Sequence, residues 1–439
     1  YILSSLVPAQ EVRFDANPNY YDAKNVFVQH VVVTYSDGKD PAQQFNMFVN
    51  GEVTSTTVNQ SLPEVVAKAA ELYPDNQYKS MTTATSYWGA FNWDRQMYAL
   101  YNDPSVSTTS KTDAQKADTK AAILNADFRR AVYAAYSAHA VEAITLGEEH
   151  ADGVIRNTLI PYTFQTTSDG RAYGSIVEKY AAELVADYEG IDLNDGHDAW
   201  YNPELAKTFA ERAKEELGDS VSEWPIHIDV PVYAASENQK NMQLAMKKSV
   251  EDAIGDYVVI DLQFLEGNSS VYYSSFYNQP TGEDNSIDLV FGAGWGPDYG
   301  DPLTYLHCFD VHDGDMLNYS GINIESQGQS EEQKAVLETL GLNEVQEIVD
   351  QATAATGDER IELFAKAEAM LLTNGILRPY STSGANITIS KVKPFTVAYG
   401  LYGQAAYNQV PYFKYMQLLD EPVTTAEYEA AKEAWMAGK

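Results

Sequence analysis

The sequence predicts an α/β protein, and two observations carry this prediction. The first is a strand–helix–strand unit, in which strand-like WPIHIDVPVY and YVVIDLQFL flank the amphipathic helical stretch ENQKNMQLAMKKSVEDAIG. Strands joined by a helix usually pair in parallel. The second is a further apolar strand, SIDLVFGAG, which runs directly into the turn GWGPDYGDP at residues 294–302. Because ligands bind at the carboxyl ends of strands in open α/β sheets, this turn is expected to face a ligand.

The other elements follow from local signals along the chain. Residues 1–60 contain strand-like segments, among them EVRFDA and VFVQHVVVTY, which are rich in β-branched and aromatic side chains. Ser61–Glu64 reads as a capping box that opens a helix ending near Tyr73. SYWGAFNW is predicted to be a strand, and two helices joined near Asn125 are predicted over residues 112–146.

The second half of the chain alternates in the same way. IRNTLIPYTF is expected to be extended, and a helix is predicted from Asn202-Pro203 to Gly218, since Pro favours the first helical position and Gly the end. Helices are expected again over residues 330–374, and ILRPYSTSGANITISKV returns to strand. The final helix, TTAEYEAAKEAW, has its N-cap at Thr424 or Thr425.

Composition limits the possible partners. The 439 residues are 44% hydrophobic, which indicates a globular chain of two or three domains. Asp and Glu number 63 against 29 Lys and Arg, for a net charge of −34. Nucleic acid and anionic membrane surfaces would be repelled by this charge, and we expect neither as a direct partner. Cys308 is the single cysteine, so the chain holds neither an internal disulfide nor a cysteine zinc cluster.

The other groups of His, Cys and acidic residues are more readily explained by structural roles than by metal binding or catalysis. His307, Cys308 and His312 could be drawn as a zinc or nickel site, but they crowd one loop, and we predict no metal. The acids of GEEHADG, residues 147–153, could form a glycosidase pair, but acids at a helix end are more often simply exposed. His227 is expected to be a satisfied or surface histidine. No nucleophile elbow, Walker loop or dinucleotide fingerprint occurs, so neither an enzyme nor a cofactor is predicted.

Several segments, in order along nearly the whole chain, resemble one family. These are ANPNYYDAKNVFVQHVVVTY, FVNGEVTST, NADFRRAVYAAYSAHAV, RNTLIPYTF, YNPELAKTFAERAKEEL, GWGPDYGDP and DEPVTTAEYEAAKEAW. They are similar to the oligopeptide-binding lipoproteins of Gram-positive peptide ABC importers, within solute-binding protein family 5. GWGPDYGDP carries the most specific likeness, because it matches the family's Trp-x-x-Asp-Tyr-x-[Asp/Glu]-Pro ligand motif.

The resemblance implies a periplasmic-binding-protein-like two-lobe fold of type II, cluster C. Residues 1–100 would form part of lobe I, residues 101–395 the second lobe with the ligand motif, and residues 396–439 a return to lobe I ending in a helix. No signal peptide is present, and the chain begins without Met inside an apparent strand. We therefore expect it to lack the family's N-terminal part, which carries the lipid anchor of the cell-surface protein.

The resemblance also assigns ligand-binding roles. Asp298 would bind the amino terminus of a peptide, since a buried ammonium group requires an anion beside it. Trp295 and Tyr299 would form walls, and the free backbone of Gly296 could pair with an extended peptide. YWGAFN matches a segment near the family's hinge. Tyr87, Trp88 and Asn92 of this segment are therefore also expected to line the ligand site.

The implied function is capture of oligopeptides in an interlobe cleft by a monomer that delivers them to an ABC permease. The sequence departs from the family at SAHA, with Ser137 and His139 where Asp-Arg is common, and DLVFGAG offers no base as a carboxylate clamp. One alternative is the same scaffold binding an oligosaccharide, a metal chelate or a signalling peptide. The others are a secreted hydrolase with an acid pair that includes Glu149, and a surface adhesion protein without transport.

Overall fold

A computed structural model of the chain describes residues 1–36, 40–396 and 413–438. The chain divides into two compact units. The smaller unit comprises residues 1–83, 145–147 and 383–439, and the larger unit comprises residues 84–144 and 148–382. Within the described residues, no helix is both long and apolar enough to cross a membrane.

Strands and short helices alternate along the described residues. The strands are β1 Ile2–Val7, β2 Glu11–Asp15, β3 His30–Thr34, β4 Ser55–Thr57, β5 Tyr78–Lys79, β6 Ser86–Phe91, β7 Ala99–Leu100, β8 Asp103–Ser107, β9 Ile226–Tyr233, β10 Val258–Leu265, β11 Leu289–Trp295, β12 Leu377–Thr382 and β13 Ile387–Ser390. The helices are α1 Gln43–Val49, α2 Pro63–Leu72, α3 Asp113–Leu124, α4 Ala126–Ala135, α5 Ala138–Leu146, α6 Tyr173–Leu184, α7 Pro203–Leu217, α8 Glu237–Ile254, α9 Ser269–Tyr273, α10 Leu303–Leu306, α11 Asp315–Tyr319, α12 Glu331–Thr339, α13 Leu342–Ala354, α14 Gly357–Thr373 and α15 Thr425–Ala437.

The smaller unit is built on two antiparallel three-stranded sheets, ordered β1-β2-β3 and β4-β13-β5. Its core contains Phe45 and Phe48 from α1, Val65 and Ala69 from α2, and Ile389 from β13. The C-terminal helix α15 joins this unit through Tyr428, whose ring stacks on that of Tyr78 with centroids 3.8 Å apart. The predicted strands of residues 1–60 and the C-terminal helix are thus confirmed.

The larger unit contains the predicted parallel pair. Strands β9 and β10 pair in parallel from Ile226–Val258 to Tyr233–Leu265, with α8 as the crossover. Strand β11, however, belongs to a different sheet, ordered β11-β6-β12, in which both outer strands run antiparallel to β6. The predicted parallel pair is therefore confirmed, and the motif strand lies outside it. The motif still follows the carboxyl end of a strand. At that end of β11, Trp295 pairs with Ser86, the first residue of β6.

The predicted starts of α7 and α15 are confirmed, and the predicted start of α2 is wrong. Asn202 caps α7 by accepting a hydrogen bond from Leu205 N–H, and Thr424 forms a capping box at α15. The helix predicted from Ser61 begins at Pro63 without a side-chain cap, because the Ser61 hydroxyl donates to Asn59 Oδ1 instead.

Residues 113–146 form three helices rather than two. The predicted break at Asn125 is confirmed, and a second break at Tyr136–Ser137 separates α4 from α5. Residues 155–164 contain no strand, although Ile155 forms an isolated bridge with Ser381.

The unit boundaries lie at residues 83/84 and 382/383, whereas the sequence predicts lobe boundaries at 100/101 and 395/396. Residues 84–100 belong to the larger unit because they contain β6, the central strand of its antiparallel sheet. The correspondence of each unit with a lobe stays a prediction.

Four buried charges lie together in the larger unit. Arg95 Nη1 is 2.6 Å from Asp229 Oδ2 and 2.8 Å from Asp288 Oδ1, and Lys111 Nζ contacts both carboxylates. All four side chains are at most 3% exposed. Each carboxylate therefore meets two cations inside the core, and we refer to these residues as the buried charge cluster.

Candidate functional site

The candidate site is the turn of residues 294–302, which begins as β11 ends at Trp295. Gly296 and Pro297 are buried beneath it, while Asp298, Tyr299 and Gly300 are exposed. Gly and Pro at these positions exclude a continued helix or strand, and they present the two polar side chains at its tip.

Thr304, a buried residue of α10, holds the first half of the turn. Its Oγ1 accepts hydrogen bonds from the backbone N–H of Asp298, at 3.0 Å, and from the indole Nε1 of Trp295, at 3.5 Å. One hydroxyl thus fixes both the backbone beneath the acid and the plane of the neighbouring ring. Trp295 is half-buried against the hydrophobic core of the larger unit.

Arg360 of α14 holds the second half of the turn. Its guanidinium donates from Nε and Nη2 to the two oxygens of Asp301, each at 3.0 Å. Its Nη1 donates to the carbonyls of Ala352 and Thr353 near the end of α13, at 2.6 and 3.0 Å. A bidentate guanidinium–carboxylate pair restricts both position and orientation, so the turn is tied to the helical part of the unit.

Asp298 contrasts with Asp301, three residues away. Within the described part of the chain, the Asp298 carboxylate has no hydrogen bond or ion pair with another residue, and it is exposed. Its backbone is fixed by Thr304, so the carboxylate is an anchored acid that meets no cation within residues 1–36, 40–396 and 413–438. Such an acid can accept hydrogen bonds from a cation supplied by a ligand.

Tyr299 continues the exposed side of the turn. Its side chain is 48% exposed, and partial burial, followed by the charges of Asp301 and Asp298, raises the pKa of its hydroxyl. The phenol therefore stays neutral at physiological pH and provides an aromatic face beside the acid.

Tyr87 of β6 contributes a ring at the same end of the sheet, next to the strand that carries the motif. Gly294 pairs with Tyr87 across the β11–β6 ladder, and a Cβ at position 294 would lie 2.5 Å from Tyr87 Cδ1. Glycine is therefore required at this position, because the Tyr87 ring covers its backbone. The half-buried ring is the one side chain of YWGAFN that the structure places beside the motif strand and at least partly exposed.

Trp88 and Asn92 do not fit the predicted ligand-binding role. Trp88 is fully buried in the core of the larger unit, with its ring 5.9 Å from that of Phe309. Asn92 is 3% exposed, donates to Asn285 O and accepts from Asp94 N–H. Aromatic content alone could not separate these core positions from Tyr87, because all lie on one short strand or directly after it.

Sequence reasoning missed the residues that hold the turn. Asp301-Pro302 carries a weak local signal, since Asp301 Oδ1 accepts from Leu303 N–H as helix-starting acids do. Arg360 and Gln165 carry none, because they reach the turn from distant segments. Gln165 Nε2 donates to Gly300 O at 3.1 Å.

The competing acid and histidine residues have structural partners. His139 lies between Asp152 and Glu148, at 2.7 and 3.0 Å, and hydrogen bonds to these acids raise the pKa of its imidazole. His227 Nδ1 lies 2.8 Å from Asp261 Oδ2, so the prediction of a satisfied histidine is confirmed.

A surface cavity of about 340 Å³ lies elsewhere in the larger unit and shares no residue with the motif. Its lining includes Asp187, Glu189, Asp192, His197 and Trp200. The Trp200 side chain is only 8% exposed, so it offers little aromatic surface to the cavity. The motif turn, whose anchored acid is unpaired among the described residues, therefore remains the stronger candidate.

Comparison with known sequences gives the chain a family. A family model described as bacterial extracellular solute-binding proteins, family 5 Middle, matches residues 1–315. The oligopeptide-binding protein AliB of Streptococcus pneumoniae is 34% identical over 444 residues, covering 100% of this chain and 64% of AliB. The oligopeptide-binding protein AliA of the same species is 32% identical over 444 residues, with the same coverage. The chain thus spans 64% of the length of these relatives.

Comparison with solved structures gives the fold. The substrate-binding domain of an oligopeptide ABC transporter from Bacillus anthracis superimposes with a TM-score of 0.59 at 18% identity, covering 95% of this chain and 64% of that one. This likeness confirms the predicted periplasmic-binding-protein-like α/β fold.

Proposed function

The chain belongs to the bacterial extracellular solute-binding proteins of family 5, and from this premise we propose that it captures oligopeptides for uptake by an ABC permease. The single observation that carries the proposal is the Asp298 carboxylate, which is fixed through its backbone yet has no cation among the described residues. Relatives whose names describe oligopeptide binding, at 32–34% identity, support the same ligand class.

In this proposal Asp298 binds the α-ammonium group of the peptide. An ammonium group loses its hydration on entering a binding site, and an anion at hydrogen-bond distance offsets that cost. The charge of Asp298 is available for this purpose, whereas the charge of Asp301 is already neutralised by Arg360.

Trp295, Tyr299 and Tyr87 complete the proposed site, and Gly296 lies buried beneath the turn. The two tyrosines and the indole provide apolar faces with polar edges, which tolerate varied side chains. An extended peptide can also pair with backbone groups next to Gly296, and backbone pairing does not depend on the identity of peptide side chains. The site is therefore expected to be specific for the peptide amino terminus and to tolerate many peptide sequences.

Delivery to the membrane requires partners that the chain does not contain. We propose that the protein acts as a monomer outside the cell, held at the surface by a lipid anchor, and that it passes peptide to permease subunits. We also propose that it is a binding protein and not an enzyme, needing no cofactor. Glu148 and Asp152, two of the acids near the end of α5, pair with His139, and Glu149 of the hydrolase alternative is exposed.

Native mass spectrometry, before and after denaturation, of the protein produced from its own gene tests the proposal. Release of a mixture of peptides would support it, and the spread of their lengths and first residues would show how loosely sequence is read. Release of an oligosaccharide or a metal chelate would contradict the peptide assignment. If the protein emerges without ligand, titration with a synthetic oligopeptide library decides, and absence of binding there would also contradict it.

A further inference from the structure

A second group of ligand-type side chains lies on the loop of residues 307–315, HCFDVHDGD. A ring nitrogen of His307 and a carboxylate oxygen from each of Asp310 and Asp313 all lie within 4.8 Å of one another. His307 and Asp313 are exposed, and Asp310 is half-buried. The sequence analysis considered a different trio, His307, Cys308 and His312, and predicted no metal there. The structure groups His307 with Asp310 and Asp313 instead.

The two residues that drop out are engaged elsewhere. The Cys308 side chain is 2% exposed and belongs to the hydrophobic core. His312 directs Nδ1 toward Glu325 Oε1 at 2.8 Å. The residues left facing one another therefore offer one nitrogen and two carboxylate oxygens.

The backbone of the loop fixes this arrangement. Gly314 N–H donates to Asp310 O at 3.0 Å, and a Cβ at position 314 would lie 2.6 Å from the carbonyl oxygens of Asp310 and Cys308. Asp310 Oδ1 accepts from His312 N–H at 2.8 Å, which orients the carboxylate and leaves its second oxygen available.

Among the described residues, no basic side chain balances the charges of this group. Across residues 1–36, 40–396 and 413–438, no Lys or Arg forms an ion pair with Asp310 or Asp313. Two carboxylates at this separation repel each other unless a cation or a proton lies between them. A chain with a net charge of −34 also attracts cations to its surface.

We propose that His307, Asp310 and Asp313 bind a divalent zinc-type metal ion. A mixed imidazole and carboxylate set suits Zn²⁺, whereas Ca²⁺ prefers six to eight oxygen ligands and Mg²⁺ retains most of its water. Zinc–nitrogen and zinc–oxygen bonds are about 2.0–2.2 Å long, so the ligand atoms must contract modestly around the ion. The remaining coordination positions would hold water. None of the three residues belongs to the proposed peptide site.

Isothermal titration of the chelator-treated protein with Zn²⁺ tests the proposal. Wild type is expected to bind one equivalent, and His307→Ala and Asp313→Asn are each expected to weaken binding by more than about tenfold, or about 1.4 kcal/mol. His312→Ala is the matched control and is expected to bind as wild type does, since its ring faces Glu325. Both altered ligand residues are exposed, and circular dichroism checks that the variants fold.

Titration with Co²⁺ adds a second readout. A visible d–d spectrum without a thiolate charge-transfer band is expected, because Cys308 lies outside the ligand set. Absence of binding, equal binding by wild type and His307→Ala, or a thiolate band would each overturn the proposal. Retained peptide binding in His307→Ala would separate this result from any failure of the proposed peptide site.

Discussion

The buried charge cluster and the motif turn place aspartates in opposite situations within the same unit. In the cluster, Asp229 and Asp288 are almost wholly buried, and each meets both Arg95 and Lys111. On the turn, Asp298 is exposed and fixed by its backbone, and its carboxylate meets no cation among the described residues. An acid that the fold has already neutralised serves stability, whereas an anchored acid left open can serve a ligand.

The turn repeats this contrast over three residues. Asp301 is neutralised by Arg360 and fastens the loop, while Asp298 presents its charge outward. The partner of each carboxylate thus separates the two acids of the motif, and it supports Asp298 as the acid that we propose for ligand binding.

The largest effect is expected from breaking the buried charge cluster. Asp288→Asn should lower the free energy of unfolding by about 3–5 kcal/mol, because removing one partner leaves buried cations undercompensated. Urea unfolding monitored by circular dichroism measures this change. The matched control is Asp252→Asn, whose ion pair with Lys248 is mostly exposed and should contribute little to stability, because solvent screens it. Equal effects of the two substitutions would remove the distinction between the regions.

Glu368 is a buried acid that is neutralised by a proton and not by a cation. It accepts hydrogen bonds from Leu159 N–H and the Tyr173 hydroxyl, and burial raises its pKa to about 8. Because the folded state holds the proton more tightly than the unfolded state, this contribution to stability is complete below about pH 4.5 and is lost as pH rises through about 8.

Glu368→Gln should therefore flatten the pH dependence of unfolding between pH 5 and 8, by up to about 1.4 kcal/mol per pH unit. Urea unfolding at a series of pH values measures the slope. Glu347→Gln, an exposed substitution on α13, serves as the control and should leave the slope unchanged. An unaltered slope in Glu368→Gln would mean that the buried carboxyl is ionised in the folded protein.

Asp298→Asn should weaken oligopeptide binding by about 10- to 100-fold, or about 1.4–2.8 kcal/mol, while leaving the unfolding free energy unchanged. The asparagine keeps the size of the side chain and removes its charge. Titration calorimetry with a peptide recovered from the protein, or chosen from a synthetic library, measures the affinity. Asp256→Asn, another exposed aspartate in the larger unit, should bind as wild type does. Retained affinity in Asp298→Asn would argue against an ammonium contact.

Arg360→Lys should have the smallest effect, a loss of affinity of about threefold or less than about 1 kcal/mol. Lysine keeps the charge near Asp301 but cannot reproduce the two parallel hydrogen bonds, so the turn loosens without losing its acid. The control is Arg171→Lys, at a more exposed pair with Asp169. A loss as large as that of Asp298→Asn would mean that Arg360 contacts the ligand directly.

The sequence was most informative where local chemistry decides the structure. Asn202-Pro203 and Thr424 gave correct helix starts because their caps involve neighbours within a few residues. It was least informative about pairing across long separations. Strand β11 pairs with β6, about two hundred residues earlier, and neither strand carries a signal that excludes the parallel sheet.

In the candidate site, too, the sequence predicted the local features and missed the long-range contacts. The motif identified the turn, and the structure agrees that Asp298 and Tyr299 lie at its exposed tip. Composition could not show that Trp88 and Asn92 are buried, since aromatic and amide side chains occur both in cores and in binding sites. The anchoring contacts of Thr304 and Arg360 depend on the folded arrangement of α10, α13 and α14, which no short motif encodes.

The most direct measurement of the central claim compares a peptide with its amino-terminally acetylated form, using both wild type and Asp298→Asn. Acetylation removes the ammonium charge and leaves the rest of the peptide intact. If Asp298 binds that group, acetylation should weaken binding to wild type by about 10- to 100-fold and to Asp298→Asn by less than about twofold. If acetylation weakens binding to both proteins equally, or to neither, the open acid of the turn does not read the peptide amino terminus.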